Sequence, residues 1–257
     1  MQRPTSFIMD CRLTEKTFLN DRYVLLLFET PKPVPTAFPG QFAQVRIDGS
    51  PTTYLRRPIS ICLINNQREL WLLVQIVGDG TRVLSTLEQG AVVNMILPLG
   101  NGFSIPQKSE TCLLIGGGVG VAPLLMLGKD LSQAGHPVLF LLGGRKSTDL
   151  VMRNNFEKYG RVFYTTEDGS LGEKGFVTQH SLLKEAAFDR IYSCGPKPMM
   201  QAVATYAKKQ NIPCEVSLEN LMACGIGACL CCVEDTVKGH VCTCTEGPVF
   251  NIETLKW

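Results

Sequence analysis

The 257-residue chain carries little that would tie it to a charged polymer, a membrane or an oxidising compartment. Its 25 Lys and Arg nearly balance 23 Asp and Glu, so the net charge of +2 lacks the basic excess that attracts nucleic acid or anionic lipid. The opening MQRPTSFIMD has no basic and then apolar run of the kind a secretory leader needs. The long uncharged stretch from Cys112 to Gly128 is broken by glycines and a proline before it reaches the length of a membrane span. These absences predict a cytoplasmic chain with no membrane and no nucleic-acid partner. Histidine is scarce too: His136, His180 and His240 stand in turn-like or surface contexts, and none is assigned to catalysis. Internal repeats and low-complexity tracts are missing.

What is present is apolar mass and cysteine. An apolar content of 45% fills a core in one large or two ordinary domains. Eleven cysteines, an odd number without a leader, argue for metal ligation or thiol chemistry rather than a disulfide framework. The pattern changes near residue 105. Before it, SFIMDCRL, YVLLLFE, GQFAQVRI, RPISICLI, ELWLLVQIV and AVVNMILPL read as short strands with turn residues between them, predicting a small antiparallel barrel. The polar SIPQKSE reads as a linker. Beyond it TCLLIGGG, HPVLFLLGGR, RVFYTTED, DRIYSCG and PCEVSLE read as strands, with VAPLLMLGKDLSQAG and KPMMQAVATYAKKQN as helices. That alternation predicts a doubly wound parallel sheet, whose ligands bind outside the carboxyl ends of the strands. The expected organisation is β plus α/β: a barrel at 1–104, an α/β domain at 105–219 and an irregular cysteine-rich segment at 220–257.

Six of the eleven cysteines fall within ACGIGACLCCVEDTVKGHVCTC, residues 223–244. Cys224, Cys229 and Cys232 have the spacing C-x4-C-x2-C, which with a more distant fourth cysteine is the arrangement of plant-type [2Fe–2S] clusters. The small residues GIGA between the first two let backbone wrap closely and turn N–H groups toward sulfur. Zinc is the competing reading, but its sites usually show paired C-x2-C knuckles. Spacing alone leaves both Cys242 and Cys244 open as the fourth ligand. Cys231, beside Cys232, reads as a bystander. Cys11, Cys62, Cys112 and Cys214 lie in apolar strand patterns and read as buried small hydrophobes.

The stretch LLIGGGVGVAPLL places Gly117, Gly118 and Gly120 in a turn between strand and helix, where a pyrophosphate can approach backbone N–H groups at a positive helix end. YSCGPKPMM puts Cys194, Gly195 and Pro196 at the end of another strand, on the same sheet edge. There a nicotinamide could reach the Cys194 thiol.

This combination resembles the ferredoxin reductase superfamily of flavin and nicotinamide oxidoreductases. RRPIS at 56–60 is similar to that family's R-x-Y-[ST] flavin motif, with Ile59 in place of the aromatic residue, and GDGT at 78–81 to its second flavin phosphate loop. PGQF and PLGNGF match further family turns. Over the whole chain, the MACGIGAC and CTEGPVF stretches resemble the electron transfer subunits of NAD-dependent, class 1B dihydroorotate dehydrogenases. In that family the last ligand precedes G-P-V-F by two residues, which selects Cys244.

The resemblance implies one FAD in the barrel, NAD⁺/NADH in the α/β domain and one [2Fe–2S] cluster on Cys224, Cys229, Cys232 and Cys244. Arg57 would pair with the flavin pyrophosphate while Gly80 and Thr81 donate further hydrogen bonds. Ser60 would reach the flavin ring edge, and Pro58 and Ile59 would hold the loop against it. Leu73, Val74 and Gln75 match a further flavin-binding stretch that often carries an arginine where Gln75 stands. Cys194 is the catalytic candidate beside the nicotinamide. Asp168, next to Glu167, is placed to accept the ribose 2′-hydroxyl, which favours NAD over NADP. Arg145 would contact the dinucleotide, and Asp149 would cap a helix. The implied partner is an FMN-containing catalytic subunit that oxidises dihydroorotate, two copies of each chain together. Competing expectations are a flavin and iron–sulfur subunit of another complex, of the sulfhydrogenase, sulfite reductase or ferredoxin oxidoreductase type, and a non-catalytic redox sensor.

Overall fold

The architecture is seen in a computed structural model, which describes residues 5–34 and 37–257. Met1–Pro4, part of the stretch on which the leader reading rests, lie outside the described residues. The strands β1 (Phe7–Phe18), β2 (Tyr23–Glu29), β3 (Phe42–Val45), β4 (Arg57–Asn65), β5 (Glu69–Gln75) and β6 (Val92–Leu99) close into an antiparallel barrel in the order β1-β2-β5-β4-β3-β6. Alternation drives it: Met9, Cys11 and Leu13 of β1 are buried while Ile8, Asp10 and Arg12 between them face out. Closure by the β1–β6 ladder leaves no open edge to pair with another chain. A helix absent from the sequence reading, α1 (Asp79–Thr86), begins within GDGT.

The second unit is one sheet in the order β10-β9-β8-β7-β11-β12-β15. Its strands are β7 (Cys112–Gly117), β8 (Val138–Gly144), β9 (Arg161–Thr166), β10 (Glu173–Lys174), β11 (Arg190–Cys194), β12 (Cys214–Ser217) and β15 (Val249–Asn251). All neighbours are parallel except β12 and β15. The helices α2 (Ala122–Gln133), α3 (Arg153–Phe156), α4 (Leu182–Glu185) and α5 (Lys197–Gln210) cross between strands. From β7 the chain winds outward through β8 and β9, then restarts on the other side at β11, so β7 and β11 flank the topological switch point.

The C-terminal segment is more ordered than expected. It contains the hairpin of β13 (Val233–Thr236) and β14 (Gly239–Cys242), then α6 (Thr243–Glu246), and returns as β15 to pair antiparallel with β12. Strands β13 and β14 are short, polar and half exposed, which is why no apolar alternation announces them.

Barrel and sheet share one apolar core. Helix α2 is buried almost all round, with Leu124, Leu125 and Leu127 inaccessible, because the sheet covers one side and β4 of the barrel packs on another. Polar ties reinforce the joint: Arg22 pairs with the buried Asp149, and Lys129 Nζ donates to Asn65 Oδ1 at 3.1 Å. Two histidines expected at turns or the surface are structural instead. His136 and His180 are both buried, and each Nδ1 accepts a backbone N–H, from Glu110 and Leu182. No cysteine is in a disulfide, and among the described residues no helix is long and apolar enough to cross a membrane. Burial pushes the Cys11, Cys62, Cys112 and Cys214 thiols up to about 12, in keeping with core hydrophobes.

Gly128, inside α2, gives a sharp test. Helix propensity alone favours alanine there by about 1 kcal/mol. The Phe140 ring, however, already occupies the space a Cβ would need, and it is locked edge-on against Phe156 at 5.1 Å. Sterics win: Gly128→Ala is expected to destabilise the protein by about 1–3 kcal/mol in urea unfolding followed by circular dichroism.

Candidate functional site

The switch point opens a cavity of about 710 Å³. Gly117, Gly118, Gly120, Gly195 and Pro196 line it together, so the two turns predicted to share a sheet edge do so. They touch: a Cβ on Gly120 would stand 2.6 Å from Gly195 Cα, and one on Gly117 would stand 2.7 Å from Met199 Sδ. Only glycine permits backbone to lie this close to backbone. Tyr23 Oη would lie 3.6 Å from a Cβ on Gly118, so the barrel forms part of the wall, with Arg22 and Gln75 beside it.

The sequence-predicted residues divide here. Gln75 reaches the cavity, but the side chains of Leu73 and Val74 are buried in the apolar core and leave only backbone to offer. Glu167 and Arg145 line the cavity. Asp168 does not: its carboxylate accepts from Ser170 N and Ser170 Oγ at 2.9 and 2.6 Å within its own turn. Asp149 does double duty, accepting from Lys146 N to shape a short turn and holding Arg22. Cys194 is buried behind Gly195 rather than exposed in the wall. Burial first, then the nearby Glu219 charge, raises its thiol well above the ordinary cysteine range, so it stays protonated. Glu219, just past β12, was not singled out by the sequence. It is open to solvent at the cavity yet enclosed by protein on most sides, and that desolvation raises its carboxyl.

On the barrel, RRPIS and GDGT meet. Arg57 Nε would lie 3.1 Å from a Cβ on Gly80, so the absent side chain makes room for the guanidinium. Thr81 Oγ1 accepts from Val77 N and Gly78 N at 2.9 and 3.0 Å, fixing the turn that opens α1. Cross-strand pairing sets the faces of β4: Ser60 lies opposite Phe42 and Pro58 opposite Gln44, while Ile59 lies opposite Ala43 and packs on the barrel core.

That pairing matters because Phe42 is also where the cysteine segment docks. Phe42, Leu99, Cys232 and Cys244 form one buried cluster, with Met222 and Cys242 packed against it. Backbone N–H groups face the sulfurs, within the GIGA stretch and beyond it: Ile226 N and Cys229 N each donate to Cys224 Sγ at 3.4 Å, Gly227 N to Cys244 Sγ at 3.2 Å, and Cys244 N to Cys232 Sγ at 3.4 Å. Gly225 and Gly227 make this possible at φ of +72° and +84°, a conformation other residues rarely adopt. At Cys224 burial opposes the thiolate, but N–H donation from Ile226 and Cys229 outweighs it and holds the thiol down at about 6. Burial, then the contact with Cys232, pushes Cys244 up to about 12. Cys229 and Cys231 are exposed.

Among the described residues, no three His, Cys, Asp or Glu side chains already converge on a point suited to a single metal ion. The sulfurs are instead spread over two loops whose N–H groups face them, a donor set suited to a sulfur-rich cluster. Two of the buried polar side chains without a partner, Gln44 and Thr243, border those loops. Gln44 carries a signal that sequence reading can use: it is the polar residue of an otherwise apolar, fully buried strand.

A barrel that sets an arginine against a glycine turn, joined to a switch-point cavity, is the arrangement of flavin and nicotinamide oxidoreductases of the ferredoxin reductase kind, here extended by a cysteine-rich segment. Comparison with known proteins agrees. Residues 219–256 match the iron-sulfur cluster binding domain of dihydroorotate dehydrogenase B, and residues 114–205 match the oxidoreductase NAD-binding domain. The dihydroorotate dehydrogenase B (NAD(+)) electron transfer subunit of Listeria monocytogenes serotype 4b is 40% identical, over 96% of this chain and 98% of its own. The same subunit of Caldanaerobacter subterraneus is 41% identical over 84% of this chain and 86% of its own. A chain of the NADH-dependent reduced ferredoxin-NADP oxidoreductase superposes with a TM-score of 0.87 and 29% identity, over 96% of this chain and 90% of that one. The ferredoxin reductase of carbazole 1,9a-dioxygenase, 21% identical, shares the fold with a TM-score of 0.69 over 81% of this chain and 67% of its own. The chain belongs to the family of dihydroorotate dehydrogenase B (NAD(+)) electron transfer subunits.

Arg57 is the first point to probe. Arg57→Ala is expected to lower the FAD content of the purified protein several-fold, read from its visible absorbance against protein concentration, while leaving iron content unchanged.

Proposed function

We propose that the chain passes electrons from the FMN of a dihydroorotate-oxidising catalytic subunit through a [2Fe–2S] cluster and FAD to NAD⁺, serving orotate formation in pyrimidine synthesis. The reading is carried by one observation: Phe42, directly opposite Ser60 of the flavin motif, packs in one buried cluster with Cys232 and Cys244. The flavin strand and the cysteine loops are thus separated by a single strand of barrel wall. When bound, the cluster supplies one-electron transfer and the flavin supplies exchange between single electrons and hydride, which nicotinamide requires.

The rest is the work of this chain's residues. Cys224, Cys229, Cys232 and Cys244 would hold the irons, and the N–H groups on their sulfurs would offset the negative charge there. Arg57 would take the flavin pyrophosphate, with Gly80 leaving it space. Gly117, Gly118 and Gly120 would admit the nicotinamide dinucleotide to the switch-point cavity, and Gly195 and Pro196 would floor it. Cys194 would support that floor as a neutral thiol, because burial withholds its charge. Glu167, on the cavity wall, takes over from Asp168 the acceptance of a ribose hydroxyl, and a carboxylate there disfavours a 2′-phosphate. The partner would carry the dihydroorotate site, in an assembly of two copies of each chain in the cytoplasm.

Coexpression tests the division of labour. Dihydroorotate-dependent NADH formation is expected only when this chain and a catalytic subunit are purified together; full turnover by this chain alone would refute it. Cys229→Ser is expected to remove the cluster's absorbance and paramagnetic signal while NADH oxidation with an artificial dye persists at near wild-type rate. Normal iron content in that variant would refute the ligand assignment.

A further inference from the structure

Gln44 is completely buried, and neither Nε2 nor Oε1 has a hydrogen-bond partner. A carboxamide shut away from water in this condition is costly, so a group that completes its bonding belongs beside it. The surroundings say which. On β3, Gln44 projects from the same face as Phe42, whose ring meets Cys232 and Cys244. Across the ladder it faces Pro58 of the flavin motif. Its carboxamide lies against Gly225, the residue after Cys224: a Cβ on Gly225 would stand 2.5 Å from Gln44 Nε2 and 2.9 Å from Cδ. The strand is pinned as well, since Gln44 O accepts from Arg56 Nη1 at 3.3 Å.

We infer that Gln44 is a positioning residue of the iron–sulfur centre, donating Nε2–H to sulfur of the cluster held by the Cys224 loop; this rests on the cluster reading above. The amide is aimed at that loop from the barrel side, where the flavin strand also lies, and it is the one uncharged donor that β3 contributes to this face. A hydrogen bond to sulfur stabilises the reduced, more negative state, so Gln44 raises the reduction potential of the centre. It thereby biases single electrons toward the cluster and away from the flavin. Gly225 is required because any larger residue would displace the amide.

The test is a potentiometric titration, followed by electron paramagnetic resonance, of the whole chain with its FAD and cluster. Gln44→Met keeps side-chain length and removes both polar atoms. It is expected to retain iron and FAD and to shift the cluster's reduction equilibrium about tenfold toward the oxidised form, the scale of one net hydrogen bond, which is 59 mV more negative for one electron. Gln44→Glu, which removes the donor and adds charge, is expected to shift it at least as far in the same direction. Dye reduction by NADH stays unchanged in both, because the flavin and nicotinamide groups are untouched. Unaltered potentials in both variants would overturn the inference. Loss of iron from Gln44→Met, with or without loss of FAD and fold, would reveal a packing role for the side chain against the Cys224 loop and overturn it. A wild-type chain free of iron would instead sink the cluster reading itself.

Discussion

The contact between Phe42 and the two buried cysteines, Cys232 and Cys244, is the constraint on which the rest of the structure depends. A loop carrying thiols can be placed anywhere on a protein surface, but single-electron transfer needs the two redox groups close together. Here packing fixes the thiol loop against the barrel wall. The outer face of β3 and β6 gives Phe42 and Leu99 to the segment, and Asn101 Nδ2 donates to Thr245 O and Glu246 O at 3.0 Å to fasten the loop that carries Cys244. Because Phe42 and Ser60 are register partners, any shift of the segment relative to β3 is a shift relative to β4 as well.

A second close approach organises the other half of the molecule. Gly120 against Gly195 brings the ends of β7 and β11 together and leaves the cavity open above them. The barrel closes that cavity from the side through Tyr23, Arg22 and Gln75, and the Arg22–Asp149 pair holds the two units in register. Removing Arg22 would leave Asp149 buried and uncompensated, so loss of the pair would cost stability as well as the register of the two units.

Much of this was legible in the residues. The six barrel strands, the parallel sheet and the glycine turns followed from strong periodicity and from where glycine must stand, and the cysteine triplet followed from ligand spacing. What was not legible depends on contacts distant in sequence. Nothing local in VFN marks β15 as a strand that returns to pair with β12. Asp168 looked like a ribose ligand because it follows the third strand, yet Ser170 engages it and Glu167 faces the cavity. Asp149 reads as a helix cap, but the cap position of its short 3-10 turn is Lys146; Asp149 closes that turn by accepting from Lys146 N, and its other oxygen answers to Arg22, over a hundred positions earlier in the chain. Leu73 and Val74 matched a binding stretch by position, but β5 is buried on both faces there and the apolar core takes up their side chains.

The return of β15 beside β12 also says something about how such a chain can change. The cysteine segment leaves from Ser217 and re-enters at Val249, and those residues are register neighbours, so the intervening stretch is an insert with coincident endpoints. Lengthening an insert of that kind costs little, on the order of 0.6 kcal/mol for each doubling. The sheet is therefore indifferent to what the insert contains. An ancestral reductase could gain, lose or exchange this cassette without redesigning either the barrel or the nucleotide fold, and only the surfaces it docks on, around Phe42, Gln44 and Asn101 and at Lys197 of α5, would have to adapt.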